Sequence, residues 1–357
     1  MDSIFCLKTR RSYRNAAVIY RKITKRKGIP NSLFDVLENG YEDKFWRTAL
    51  FPSNDLYGIE HALAGYSKYK GSVFAPSEHG VYFGSYVSKD EANPNCYPVT
   101  ITFGPRRAGH LAKNKMPSLQ IGPYIYYASE YLSEQERTSL KKKLGKVLLV
   151  FPMHSIENTE VSFELELLLK KISEIEREYS IDTTLYCLYF ADVMKGLAVK
   201  LSNLGKTVVC AGHRFDPTFL SRLKSLILLS DITASNGVGT HMGYSEVLGR
   251  EHFFLDMDVK SSLEPDFYNA EKSYFSSRDN EIAEVRNAFM TRDPLRKNEV
   301  LDRYWGISKI KSQEELFDLL TEIERAYKIM LKSGNSSEEI ILDYCPMLNL
   351  SGAIRDL

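Results

Sequence analysis

Residues 207–258 read TVVCAGHRFDPTFLSRLKSLILLSDITASNGVGTHMGYSEVLGREHFFLDMD. The stretch opens on a β-branched apolar run, Thr207-Val208-Val209-Cys210, which stops at Ala211-Gly212. A continuous apolar run closed by glycine predicts a parallel strand buried on both faces and ended by a tight turn. His213 and Arg214 follow that strand's carboxyl end, where open α/β sheets place their ligands. Phe219, Leu220, Leu223 and Leu226 then share one face of a predicted helix. A second strand-like piece leads into Ser235-Asn236-Gly237-Val238-Gly239-Thr240, and a helix carrying Ser245, Glu246 and Leu248 continues to Gly249. Phe253-Phe254-Leu255 reads as one more strand. Bare N–H groups and the positive dipole end at the start of that helix favour an anion. The stretch is therefore expected to hold a nucleotide monophosphate or diphosphate.

The same alternation extends upstream. Val147-Leu148-Leu149-Val150-Phe151 predicts a strand ending at Pro152-Met153-His154-Ser155. An amphipathic helix over about 162–179, a strand over 184–189 and a helix over 192–204 follow, which is the rhythm of a doubly wound parallel sheet. The charged helix of residues 133–146, SEQERTSLKKKLGK, marks the boundary with a first half. There the sequence predicts helices at 32–37 and within 51–70, strands at 72–75 and 99–103, and a further strand from Leu119 that stops at Gly122-Pro123. Each strand ends in Gly, Pro and charge, so the functional loops should share one edge. Residues 124–131 and 261–293 read as connections or lids, and residues 296–308 with an amphipathic helix over 313–330 complete the second half. The expected division is a basic segment (1–30), an α/β acceptor-side domain (31–135), an α/β donor-binding domain (136–335) and a tail (336–357).

This order resembles the donor-binding half of a GT-B glycosyltransferase. It is particularly similar to the bacterial sialyltransferases, Kdo transferases and polyol-phosphate transferases that build surface polysaccharides. Those families carry a Gly-His-Pro or His-Pro pair after a strand and a Ser-Ser-like turn some way on. Gly212-His213-Arg214 and Ser235-Asn236 stand in those places, with arginine for the proline and asparagine for the second serine. The resemblance implies an α/β fold of two Rossmann-like domains facing a cleft. It also implies transfer of a sugar from a nucleotide-activated donor to a surface polysaccharide or lipid-linked glycan, without a metal. A nucleotide-sugar 2-epimerase of the same architecture, or a catalytically silent nucleotide- or glycan-binding scaffold, are the alternatives.

Such a transfer needs a base for the acceptor hydroxyl, groups that hold the leaving phosphate, and a cleft that excludes water. His213 and Arg214 fit the phosphate task by position and charge. Ser235, Asn236 and Thr240 offer hydroxyl, amide and N–H groups there, with plain helix capping as the competing role. Glu246 sits where the resemblance implies a carboxylate on the donor ribose. His154 and Ser155 face the same cleft from the first strand of that half. Glu78-His79-Gly80 resembles the acidic turn that supplies the base in the sialyltransferases. Either Glu78 is the base with His79 orienting it, or His79 is the base near its ordinary pKa of ~6.5. Arg106, Arg107 and His110 follow a strand end and would bind an anionic acceptor.

Composition narrows the classes further. With 43% hydrophobic and 26% charged residues, the 357-residue chain reads as a globular protein long enough for two domains. No apolar run reaches the ~20 residues that cross a bilayer, and the start lacks the pattern of a secretory signal. Five scattered cysteines (Cys6, Cys96, Cys187, Cys210, Cys345) form no Cys-x-x-Cys pair, so buried free thiols, a cytoplasmic setting and no zinc are expected. Charge is uneven: through Lys27 there are nine Lys/Arg against Asp2 alone, although the whole chain carries only +1. Residues 8–27 are thus expected to meet an anionic partner, with a membrane surface favoured over nucleic acid by the apolar edge of Val18, Ile19 and Ile23. Gly237-Val238-Gly239 lacks the further glycine and lysine of dinucleotide and P-loop fingerprints. Asp256-Met257-Asp258 reads as a strand-end turn, and no Gly-x-Ser-x-Gly elbow is present.

Overall fold

The computed structural model of the chain describes residues 49–88, 93–155, 159–263, 272–345 and Leu348. The basic segment of residues 1–30 and the helix expected at 32–37 lie outside the described residues. In the first half, β1 (Thr100–Thr102) and β2 (Ser118–Gln120) pair in parallel, Thr100 against Ser118, and Ser77 adds an isolated parallel bridge to Ile101. The strand expected at 72–75 does not form. Instead the buried Asn54 side chain donates to the Ala75 carbonyl (2.8 Å) and accepts from the Ser77 N–H (2.8 Å). A side chain satisfies backbone groups that a ladder would otherwise pair. Helices α1 (Ile59–Ser67) and α2 (Pro105–Lys113) flank these strands.

Helix α3 (Glu134–Leu144) joins the halves and starts on a capping box, with Ser133 accepting from Glu136 N–H and the Glu136 carboxylate accepting from Ser133 N–H (2.8 Å). Beyond it lie β3 (Val147–Phe151), β4 (Thr159–Phe163), β5 (Thr183–Cys187), β6 (Thr207–Val209), β7 (Ile232–Ser235), β8 (Glu251–Phe254) and β9 (Val259–Leu263). Five of them form one parallel sheet in the order β6-β5-β3-β7-β8. The chain steps from β3 outward to β6, then returns across β3 to β7 and β8, so the winding direction switches between β3 and β7. The period-2 alternation sorts the side chains. Val147, Leu149 and Phe151 join the apolar core on one face, while Leu148 and Val150 meet Leu168 and Ile172 of α4 (Leu165–Glu178) on the other. Burial on both faces is why these strands read as unbroken apolar runs. The α/β class expected from the sequence, with parallel strands and covering helices, is what the structure shows.

Two further segments differ from expectation. Residues 192–204 are two helices, α5 (Phe190–Met194) and α6 (Leu197–Asn203), separated by Gly196 at φ +88, a conformation that side-chain-bearing residues rarely adopt. Residues 261–293 are more than a connection: β9 pairs antiparallel with β4, and α9 (Lys272–Thr291) follows.

The halves share one apolar core, in which Val73, Ile101 and Leu119 belong to the same cluster as Leu149, Leu223 and Met242. Helix α7 (Phe219–Leu229) and the loop before it lie at the junction. Gly58, at φ +74, passes so close to Pro217 that a Cβ would run into its backbone carbonyl. Helix α8 (Thr240–Val247) carries the second junction, and α10 (Pro294–Trp305) covers it. Helix α11 (Gln313–Ser333), read with the second half in the sequence, packs on the first: Tyr69 donates to Glu324, and the Phe74 and Tyr327 rings lie 4.9 Å apart.

Candidate functional site

The carboxyl ends of β3, β5, β6 and β7 open onto one cleft of about 990 Å³, its mouth included, at the point where the sheet's winding reverses. Phe151 to His154 line it after β3, Leu188 and Tyr189 after β5, Ala211 after β6, and Val238 to His241 after β7. The first half closes the far wall with Tyr57, His79 and Gly80. Two bonds tie the walls together: Val81 N–H donates to Thr240 Oγ1 (3.0 Å), and the Tyr57 and Tyr189 hydroxyls meet at 3.4 Å. Most of the surface is apolar, so each polar group in it is conspicuous.

His154 stacks on Tyr189 with ring centroids 4.5 Å apart, and its Nδ1 donates to the Ser155 carbonyl (3.2 Å). Burial lowers its pKa, against the opposing pull of that carbonyl and of Asp192. A neutral ring donating through Nδ1 leaves Nε2 as an acceptor. His241, in the first turn of α8, stacks on Phe151 at 4.9 Å, and its Nε2 is buried with no hydrogen-bond partner among the described residues. Burial, and next the neighbouring His154, hold its pKa down to about 3. His79 presents its ring edge to the Tyr82 hydroxyl, which lies 2.9 Å from each ring nitrogen.

Several residues singled out in the sequence are engaged within the fold. Glu78 is buried, and its two oxygens accept from the Tyr82 N–H (3.2 Å) and the Phe103 N–H (3.0 Å). His213 is buried against Phe190 and Phe215 and accepts from the Phe215 N–H at 3.2 Å. Arg214 lies over the Phe215 ring at 4.9 Å, and its carbonyl accepts from Tyr57 N–H. Ser235 donates to the Gly237 carbonyl (2.9 Å), so at the His252 Nε2 contact (2.9 Å) the histidine is the donor. Asn236 Oδ1 accepts from Met153 N–H (2.7 Å), which joins the loops after β3 and β7. Glu246 accepts from His252 N–H and from Lys297 Nζ, both at 3.0 Å. None of these six is among the residues lining the cleft.

The proposed acceptor group is also placed elsewhere. Arg106 and His110 both face Glu281 of α9, which also accepts from Gly84 N–H (2.7 Å). Arg107 is buried over the Tyr82 ring and donates to the Tyr86 carbonyl. Ser155 belongs to a neighbouring cavity, where its N–H meets the Asp192 carboxylate at 3.3 Å. The cleft thus brings together His79, His154 and Thr240 from the sequence reading. It adds Tyr57, Tyr189 and His241, which that reading missed. Tyr189 was within reach of the strand-end rule applied to β5, and His241 lies one residue beyond the polar run. No cluster of His, Cys, Asp or Glu among the described residues is arranged to hold a metal ion.

No family model matches the sequence, and no curated protein matches it. Among solved structures, the chain is similar to the wall teichoic acid polymerase TagF, with a TM-score of 0.40 and 13% identity over 74% of this chain and 70% of that one. It is also similar to an S. aureus MnaA–UDP structure, with a TM-score of 0.35 and 12% identity over 68% of this chain. The chain spans 62% of the MnaA length.

Proposed function

We propose that the chain binds a nucleotide-activated sugar in this cleft and transfers the sugar to a hydroxyl of a glycan acceptor, as the GT-B resemblance implies. The observation that carries the reading is the cleft itself: four parallel strands of the main sheet end on it where the winding reverses, and the first half closes its far wall with Tyr57, His79 and Gly80. The acceptor hydroxyl attacks the anomeric carbon, the bond from that carbon to the phosphate oxygen breaks, and the phosphate leaves with the electron pair. The N–H groups that open α8 would hold that phosphate. His154 suits a sugar or ribose hydroxyl, because its Nε2 accepts while the ring is neutral. His79 on the opposite wall is the base for the acceptor proton, and Glu78 fixes the turn that presents it. A metal is not required by this set.

Calorimetry with UDP, CDP and CMP tests the first step. At least one nucleotide should bind, and His154→Ala should weaken it by ~0.5–1.5 kcal/mol, the range of one hydrogen bond. His213→Ala should lower the melting temperature without that loss of affinity. If none of the three nucleotides binds, the reading fails. The internal engagement of His213, Ser235, Asn236 and Glu246 favours one second reading, a nucleotide-binding scaffold without turnover. It would show nucleotide affinity but no sugar transfer or free-sugar release with any donor.

A further inference from the structure

Back to back with the cleft lies a second cavity whose chemistry is of another kind. His154 lines the cleft, and Ser155, the next residue, lines this cavity together with Asp192, Lys195, Lys200 and Lys260. It measures about 1090 Å³ with its open mouth. Of the acids at it, Asp192 is buried and turned to the Ser155 N–H, and Glu160 meets Lys195 at 3.4 Å. Helices α5 and α6 form its rim, and they carry large apolar side chains out into solvent: Met194 is 59% exposed, Val199 62% and Leu204 51%. These three fall within eleven residues. Ala198 and Leu201 take the inward face of α6, so its spacing puts Val199, Lys200, Asn203 and Leu204 on the outward arc.

Apolar knobs interleaved with lysines on an exposed edge have an unmet hydrophobic cost, and the lysines select the charge of what covers them. We propose that the α5–α6 edge docks on an anionic phospholipid bilayer, with Met194, Val199 and Leu204 entering the acyl boundary and Lys195, Lys200 and Lys260 meeting the headgroups. Amphipathic basic surfaces bind lipid in this way. The residues of this edge are distinct in sequence from the basic residues 8–27. Because α5 begins directly after Tyr189, docking would hold the cleft wall at the membrane, within reach of a lipid-linked acceptor.

The test uses the full chain with Arg10, Arg11, Arg14, Arg21 and Lys22 replaced by Gln, so that the N-terminal charge does not mask the edge. Co-sedimentation is measured with phosphatidylcholine vesicles, with and without phosphatidylglycerol. Binding should require phosphatidylglycerol and weaken with salt. A Lys200→Gln, Lys260→Gln pair should weaken it on the order of tenfold or more, at about fivefold per lysine. A Met194→Ser, Val199→Ser pair should weaken it as well. Unchanged binding in both pairs, or no binding by the parent, overturns the proposal. So does loss in the lysine pair alone, which marks a site for soluble polyanions. Melting temperature and nucleotide affinity, measured on the same proteins, separate loss of docking from loss of fold and from failure of the cleft reading.

Discussion

Glu78 and His79 are neighbours in the chain, yet they hold opposite positions in the structure. Both oxygens of Glu78 receive backbone N–H groups in the interior, whereas the His79 ring stands on the cleft wall. Substitution should separate the two roles. Glu78→Gln turns an amide NH₂ toward one of those N–H groups, which leaves a buried donor unpaired at ~1–3 kcal/mol, so its melting temperature should fall. His79→Ala should melt near the parent but lose roughly 10²–10⁴-fold in kcat, the usual yield of general base catalysis. A stable, inactive Glu78→Gln protein would reverse the assignment. The pairs at the strand ends share a physical lesson. Spacing in a sequence gives the end of the strand at which His213 or Ser235 sits. It does not give the direction of the side chain, which Phe190, Phe215 and His252 decide in packing.

At the scale of elements, α8 shows how one helix start is held. Gly243 lets the helix lie flat on Trp305, whose ring occupies the place a Cβ would take. The fully buried indole then donates from Nε1 to the Thr240 carbonyl at 3.0 Å. Trp305→Ala should therefore cost about 3–5 kcal/mol and also weaken nucleotide binding, because the first turn of α8 loses its support. Trp305→Phe keeps most of the packing and loses only the bond, at ~0.5–1.5 kcal/mol. Equal melting temperatures for the three proteins would show that α8 is held by something else. The buried strands and their glycine stops were legible in the sequence because burial on both faces leaves an unbroken apolar run. The β4–β9 pair was not: Thr159–Phe163 and Val259–Leu263 are short and mixed in polarity, and each is specified mainly by its distant partner. The break at Gly196 was missed because apolar residues continue at helical spacing on both sides of it.

At the scale of the whole molecule, one core spans both halves, and three histidines run from the cleft into the main sheet, His154 and His241 half-buried on the cleft wall and His252 buried behind them. Their pKa values all fall below the usual 6.5: His241 to about 3, His252 well below it through burial and then His241 and Lys297, and His154 through burial. In the unfolded chain each would titrate near ~6.5, so below that pH the unfolded state binds more protons than the folded one. Their contribution is complete above ~6.5 and declines as the pH falls toward the folded values. Glu281 adds a later loss. Burial raises its carboxyl, but the neighbouring His110 and the bonds from Gly84 N–H and Arg106 outweigh burial, and the net shift is downward. That contribution holds above its usual 4.5 and is lost as the pH falls through the folded value. Asp192 acts against the trend, because burial raises its pKa and the folded state takes that proton first. The melting temperature should therefore be level above ~6.5, fall below it, and fall more steeply below ~4.5. His252→Gln, which can still bond Thr233 and Ser235, should start from a lower melting temperature but show a shallower fall between ~6.5 and ~5, since one buried proton site is gone. If that variant keeps the parent's slope, the acid sensitivity comes from other groups, and the buried imidazole at the back of the cleft has no part in it.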